Sequence, residues 1–142
     1  MIFSFYKMSG SGNDFVIIDD RKCIFPENDI SLINKITSRS TGIGSDGLIL
    51  IQNSEKYDFK MRFFNPDGLE QDMCGNGLRC ASNLYYRLNK CQKILHIETN
   101  CGLVTSHILK KSVKIEFDYL FKTKLDIHLD TELKFDFCDS GV

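Results

Sequence analysis

The 142-residue chain has no long apolar run: none approaches the roughly 18 consecutive residues that a membrane-spanning helix requires, so a soluble protein is expected. It lacks an excess of either charge. Eighteen basic and nineteen acidic side chains leave a net charge of −1, with both signs mixed on either side of residue 80. That balance offers no electrostatic footprint for nucleic acid or for an anionic membrane surface. With only two prolines and no low-complexity tract, the composition excludes collagen-like and globally disordered chains. The opening MIFSFYKMSG has one lysine after mostly apolar residues and no apolar stretch of signal-peptide length. The six cysteines therefore read as reduced thiols of a cytoplasmic protein, not as a disulfide framework. Internal repeats and linkers are missing too, so residues 1–142 are expected to form one folding unit.

What is present is ample core and period-two patterning. Apolar residues make up 42% of the chain. At this size about 68% of the unfolded surface leaves water on folding. Tyr57, Phe59, Met61 and Phe63 alternate with Asp58, Lys60 and Arg62 up to the turn Asn65-Pro66-Asp67-Gly68, which predicts a half-buried strand. Further strands are predicted at Ile2–Lys7, Phe15–Asp19, Leu48–Gln52, Ile94–Thr99, Leu103–Leu109, Val113–Asp118 and Leu133–Phe137, with a hairpin around Asn100-Cys101-Gly102. Helical spacing occupies Asp29–Ser38, with Ile33 and Ile36 on one face, and Gly77–Leu88, with Leu78, Ala81, Leu84, Tyr85 and Leu88. Many strands around few helices make the fold class α+β.

Eight of the ten glycines precede residue 80 and form three clusters, as loops gathered around something would require. Gly42-Ile43-Gly44-Ser45-Asp46-Gly47 matches G-x-G-x-x-G, yet a helix precedes it and a strand follows, the reverse of a dinucleotide site, so it reads as a helix-to-strand loop. His96-Ile97-Glu98 lacks the P-C-x-x-C that zinc deaminase chemistry needs, and the cysteine spacings miss those of a zinc site. His96, His107 and His128 fit alternating strand positions, and no metal is expected. Asp67, Glu70 and Asp72 read as a solvated loop.

Met73-Cys74-Gly75-Asn76-Gly77-Leu78-Arg79-Cys80 is different, because it sets a thiol immediately before a predicted helix. Free amides and the positive end of a helix dipole stabilise a thiolate and can also hold a carboxylate. The flanking glycines let a small anion approach the backbone, and Asn76 brings an amide that both donates and accepts. One turn can thus supply a reactive sulfur and an anchor for an amino acid carboxylate; a buried cysteine at a glycine-rich cap fits the same residues.

Together with Lys7-Met8-Ser9-Gly10-Ser11-Gly12-Asn13-Asp14-Phe15, Gly42–Gly47 and Phe64-Asn65-Pro66-Asp67-Gly68, this motif resembles the diaminopimelate epimerase family, in family order and spacing from about residue 3 onward. The resemblance implies a barrel-like, mostly antiparallel or mixed sheet around a central helix. It implies a cofactor-free isomerase that interconverts LL- and meso-diaminopimelate, on the route to lysine and peptidoglycan, by thiolate and thiol proton transfer at one α-carbon. Cys74 matches one of the family's two cysteines; Asn13, Asn65, Gly75 and Asn76 match substrate-binding positions. Some members carry glutamine, a substrate contact, where this chain has Gly47. Family members have two similar halves, and these residues correspond to the first. The second cysteine is therefore expected beyond Val142, and the partners implied are a small-molecule substrate and that C-terminal half, with a homodimer allowed. Cys80, Cys101 and Cys138 read as structural. Two alternatives stay open: a same-fold racemase or isomerase of another amino acid or a proline derivative, and a half-domain that binds a ligand or partner without catalysis.

Overall fold

The computed structural model describes residues 2–117 together with the backbone of two strands beyond them, Lys122–His128 and Lys134–Asp139. The elements in chain order are β1 (Tyr6–Gly10), β2 (Asn13–Asp19), α1 (Ile30–Thr37), β3 (Gly47–Gln52), β4 (Phe59–Phe64), β5 (Glu70–Gln71), α2 (Gly75–Asn89), β6 (Ile94–Thr99), β7 (Gly102–Ile108), β8 (Val113–Phe117), β9 (Lys122–His128) and β10 (Lys134–Asp139). Strands β1 to β8 form one mixed sheet in the order β1-β2-β3-β4-β6-β7-β8, with β5 pairing to β4. β2 runs parallel to β3, and β4 to β6, while the other neighbours are antiparallel. β9 and β10 pair antiparallel as a separate two-stranded sheet.

α2 packs against β1, β2, β3, β4, β7 and β8, so the sheet curls around it from one end strand to the other. This is the α+β, barrel-like sheet around a central helix that the sequence led us to expect. Leu78, Ala81 and Leu84 are buried as the helical spacing predicted, and Cys80 and Ser82 are buried beside them, because a helix wrapped by a sheet has little outer face. They meet Phe15, Ile17, Ile49, Ile51, Phe59, Met61, Phe63, Leu95 and Ile97 from the concave face. The convex face of β2 and β3 is covered by α1: Val16, Ile18, Leu48, Leu50 and Phe64 pack with Ile33 and Phe25. Apolar layers on both sides explain why β3 is buried at every position, whereas β6 alternates and carries His96 outward. Asp29 caps α1 by accepting the Leu32 N–H at 2.9 Å, an arrangement worth about 1 kcal/mol.

Several elements differ from the sequence reading. The first strand is Tyr6–Gly10, not Ile2–Lys7, because the turn after it has positive φ at both Ser11 and Gly12 and thereby pairs Gly10 with Asn13. The apolar Phe3 instead packs against Phe25, the rings tilted with centroids 5.2 Å apart. Glu70 does not lie in a solvated loop. It sits in β5, takes two hydrogen bonds from Arg62 at 2.7 and 2.6 Å, and accepts from Asn100. Arg62, ion-paired with Glu27 as well, holds the Glu70 carboxyl below its usual range. The helix expected from Gly77 begins at Gly75, and β9 had no counterpart in the sequence reading. Val113–Asp118 and Leu133–Phe137 correspond to β8 and β10; Asp118 and the Cys138 side chain fall outside the described residues.

Candidate functional site

Cys74 is the N-cap of α2. Its backbone is extended (φ −141°, ψ 113°), its carbonyl accepts the Leu78 N–H at 2.8 Å, and its Sγ accepts the Gly77 N–H at 3.4 Å. The half-buried thiol therefore stands at the positive end of a 15-residue helix. By position, the amides of Gly75 and Asn76 in the first turn have no intrahelical acceptor. A Cβ built at Gly75 would meet nothing within 4 Å, so the approach to those amides is open.

Strand register gathers the other residues at the same end of the sheet. β2 begins at Asn13, the parallel β3 begins at Gly47, and the antiparallel β4 ends one residue before Asn65. Asn13 is placed by the tight turn at Ser11-Gly12. Asn65 starts a turn in which its carbonyl accepts the Gly68 N–H at 2.9 Å and its own N–H donates to Leu69 at 3.0 Å. Its side-chain amide has no hydrogen-bond partner among the described residues. Asn76 and Asn13 are joined directly: Asn76 Nδ2 donates to Asn13 Oδ1 at 2.8 Å. Arg79 Nη1 donates to Asn76 Oδ1 at 2.8 Å, and Asn13 Nδ2 donates to Asp46 Oδ2 at 3.1 Å. Of the residues singled out from sequence, Cys74, Gly75, Asn76 and Asn13 thus form one contiguous group, with Asn65 at the neighbouring strand end.

Charged residues that the sequence reading did not single out surround this group. Asp46 also accepts the Asp14 N–H at 3.1 Å and pairs with Arg39 at 2.7 Å. Asp14 pairs with Arg39 at 2.6 Å and with Lys7 at 2.7 Å, and Lys7 reaches the Gly44 carbonyl as well. Arg39 and Lys7 hold the Asp14 carboxyl well below the usual range; for Asp46 the hydrogen bond from Asn13 leads, followed by the Asp14 N–H and Arg39. Lys7, Asp14, Asp46 and Arg79 all lie inside the four motifs, so a signal existed. Arg39 carried none.

The remaining features sort clearly. Cys80 is buried on α2, and burial pushes its thiol up to about 11, so it stays protonated near neutral pH. The segment Gly42–Gly47 is a helix-to-strand loop: Ile43 and Gly44 donate back to the Ile36 carbonyl and Ser45 to that of Thr37. At Gly47 a Cβ would stand 2.4 Å from the Phe63 ring and 2.8 Å from the Phe64 carbonyl, so in this chain the Phe63 ring occupies the space a longer side chain would need. Among the described residues no three His, Cys, Asp or Glu side chains converge as metal ligands, and no helix is long and apolar enough to cross a membrane. Clefts of about 550 and 500 Å³ lie by Arg21 and by Lys60, and neither is lined by Cys74, Asn13 or Asn76.

Comparison with known proteins bears on this geometry. The family model described as diaminopimelate epimerase matches residues 5–119. A diaminopimelate epimerase of Carboxydothermus hydrogenoformans is 44% identical over 112 residues, covering 77% of this chain and 41% of the relative. One from Campylobacter jejuni (strain RM1221) is 35% identical over 139 residues, covering 97% of this chain and 54% of the relative. The chain thus spans about half the length of the curated relatives it matches. Among solved structures, a probable proline racemase from Agrobacterium radiobacter K84 aligns over 99% of this chain and 50% of its own, with TM-score 0.67 and 14% identity. A Bacillus anthracis phenazine biosynthesis protein of the PhzF family aligns over 87% and 42%, with TM-score 0.60 and 23% identity. At those identities the likeness is one of fold.

Proposed function

The chain belongs to the diaminopimelate epimerase family, and from that membership we propose that it supplies one half of a two-sided site that inverts an α-carbon of diaminopimelate between the LL and meso forms. The observation that carries this reading is the Cys74 thiol at the N-cap of α2, beside an open Gly75 and the joined Asn76–Asn13 amides. In one direction Cys74, as thiolate, removes the α-proton: the C–H bond breaks, an S–H bond forms, and the electron pair is left on the α-carbon and its carboxylate. A thiol on the opposite face then delivers a proton to that carbon and becomes a thiolate. In the other direction the roles exchange. The amides of Gly75 and Asn76 hold the substrate carboxylate, where they stabilise the charge that develops on it. Asn13 and Asn65 contact the substrate as well; the unengaged Asn65 side chain is consistent with that role.

General acid–base transfer needs each group within about 3 Å of its proton, so a single thiol serves a single face. Cys80 does not answer for the other: it lies six residues along α2, buried, with its thiol held protonated. On this reading residues 1–142 are the N-terminal catalytic half, and the opposing thiol comes from a second, similar half. The assembled protein, a homodimer in the extended form of the proposal, acts in the cytoplasm on the route to lysine and peptidoglycan precursors, and the chemistry draws on no cofactor.

The test is inversion by the purified two-half protein without added cofactor, followed by optical rotation and chromatography of the stereoisomers. LL-diaminopimelate is expected to proceed to a mixture with the meso form, and L-proline and 4-hydroxyproline to stay unchanged. Racemisation of proline with diaminopimelate untouched would transfer the site to the proline class; binding without inversion of any substrate would leave a non-catalytic module.

A further inference from the structure

The amide pair beside Cys74 is held between two opposite charges. Hydrogen bonds run in one direction from Arg79 to Asn76 (2.8 Å), from Asn76 to Asn13 (2.8 Å) and from Asn13 to Asp46 (3.1 Å). A guanidinium only donates and a carboxylate only accepts. Turning the Asn13 amide over would set its oxygen against the Asp46 carboxylate and its nitrogen against that of Asn76. Turning Asn76 over would set its nitrogen against Arg79. The charged ends therefore fix the polarity of both amides, and neither amide could fix it alone. Each amide nitrogen has two hydrogens and uses one; each oxygen has two lone pairs and uses one. What remains for a ligand is one N–H and one lone pair on each residue, in a set order.

We infer that Asp46 and Arg79 are positioning residues that orient the Asn13–Asn76 amide pair, so that its spare N–H groups are offered to an anionic substrate carboxylate; the inference rests on the epimerase reading of the site. Asp46 is suited to the task because three further contacts anchor it: the Asp14 N–H, Arg39, and its own N–H on the Asp14 carbonyl at 2.8 Å. It remains a carboxylate across the working range, since the hydrogen bonds from Asn13, the Asp14 N–H and Arg39 hold its pKa below the usual value. Arg79 is half-buried on the first turns of the helix that Cys74 caps, so the donor end of the chain moves with the thiol.

The experiment uses the two-half protein with LL-diaminopimelate. Asp46→Asn keeps size and can still accept from Asn13, but it can also rotate and donate, so the chain loses one of the two ends that fix its polarity. It is expected to lower kcat/KM by about 10- to 100-fold, mainly through KM. Arg79→Gln should act in the same sense, and Arg79→Lys, which only donates, should stay within about threefold of wild type. Because both ends work through one chain, the double variant Asp46→Asn/Arg79→Gln should lose little beyond the worse single, not the product of the two. An unchanged KM in Asp46→Asn, equal loss in Arg79→Lys and Arg79→Gln, or multiplicative losses in the double variant would overturn the inference. Inactive wild-type protein would instead refute the epimerase reading, and the polarity would then be read from side-chain amide resonances. Asp46→Asn is expected to move those of Asn76, and Arg79→Gln those of Asn13; unmoved far amides would overturn the inference there too.

Discussion

Replacing Cys74 with serine in the two-half protein is expected to reduce kcat by about 10²- to 10⁴-fold, the range that a positioned acid–base group contributes, while leaving the melting temperature within a few degrees of wild type. The two expectations come from different properties of one atom. As a helix cap the Cys74 Sγ accepts the Gly77 N–H at 3.4 Å. A serine hydroxyl accepts the same bond, and serine is among the preferred N-caps, so α2 keeps its start. As an acid–base group the sulfur is not replaceable by an alcohol, whose proton is held too tightly to be exchanged with a carbon acid near neutral pH. Cys80→Ser should behave in the opposite way. That residue is only 3% exposed in the core, and a hydroxyl there must find a partner or lose about 1–3 kcal/mol, with the chemistry spared. Steady-state kinetics and thermal melts of the two variants side by side give the check; a Cys74→Ser enzyme within tenfold of wild type would remove Cys74 from the reaction.

Gly42→Ala is expected to lower the melting temperature by about 10 °C, from a cost of about 3 kcal/mol at the upper end of what overpacking normally incurs. Gly42 is exposed, which makes the expectation counter-intuitive, but its α-carbon lies against the last turns of α1. A Cβ there would stand 1.8 Å from the Lys35 carbonyl oxygen and 2.8 Å from that of Ile36. Those atoms are backbone and cannot swing away. The Gly42 N–H also donates to the Ser38 carbonyl at 3.0 Å, so the loop cannot lift without releasing the end of the helix. Since the same loop delivers Asp46 to Asn13, turnover at 25 °C should fall with stability. Gly75→Ala is the informative contrast: its Cβ meets open space, so melting should hardly change, while a methyl group at the approach to the anchoring amides should reduce turnover. Differential scanning fluorimetry separates the cases, and a Gly42→Ala protein melting with wild type would mean that the loop yields.

The fold was legible where period and burial coincide. The alternation through Phe59, Met61 and Phe63 marks a strand with its apolar side to the helix. The Leu78, Ala81 and Leu84 spacing marks the helix they face. It was less legible where a turn outranked hydrophobicity: Ile2–Phe5 is the apolar stretch, yet the positive φ at Ser11 and Gly12 sets the pairing and moves the strand to Tyr6–Gly10. β5 escaped because two residues carry no period; its pairing with β4 is reinforced by Arg62 clasping Glu70. At the site, the thiol and its cap could be read from Cys74-Gly75-Asn76-Gly77, because glycines before a helical period mark a helix start, although a buried structural cysteine fitted the same residues. The charged frame could not. Asp46 and Asn13 are 33 residues apart, and their hydrogen bond exists because β2 and β3 run parallel, a pairing that neither segment announces.

The most direct measurement of the central claim, that Cys74 serves one face and another group the opposite one, is the fate of the α-proton in heavy water. The two-half protein is incubated with protiated LL-diaminopimelate in deuterium oxide, stopped at low conversion, and the LL and meso pools are separated and weighed by mass spectrometry. Two groups on opposite faces predict that the newly formed meso product carries one deuterium while the residual LL substrate remains protiated. Product that retains the substrate's own proton would show one group working on both faces, and would contradict the account.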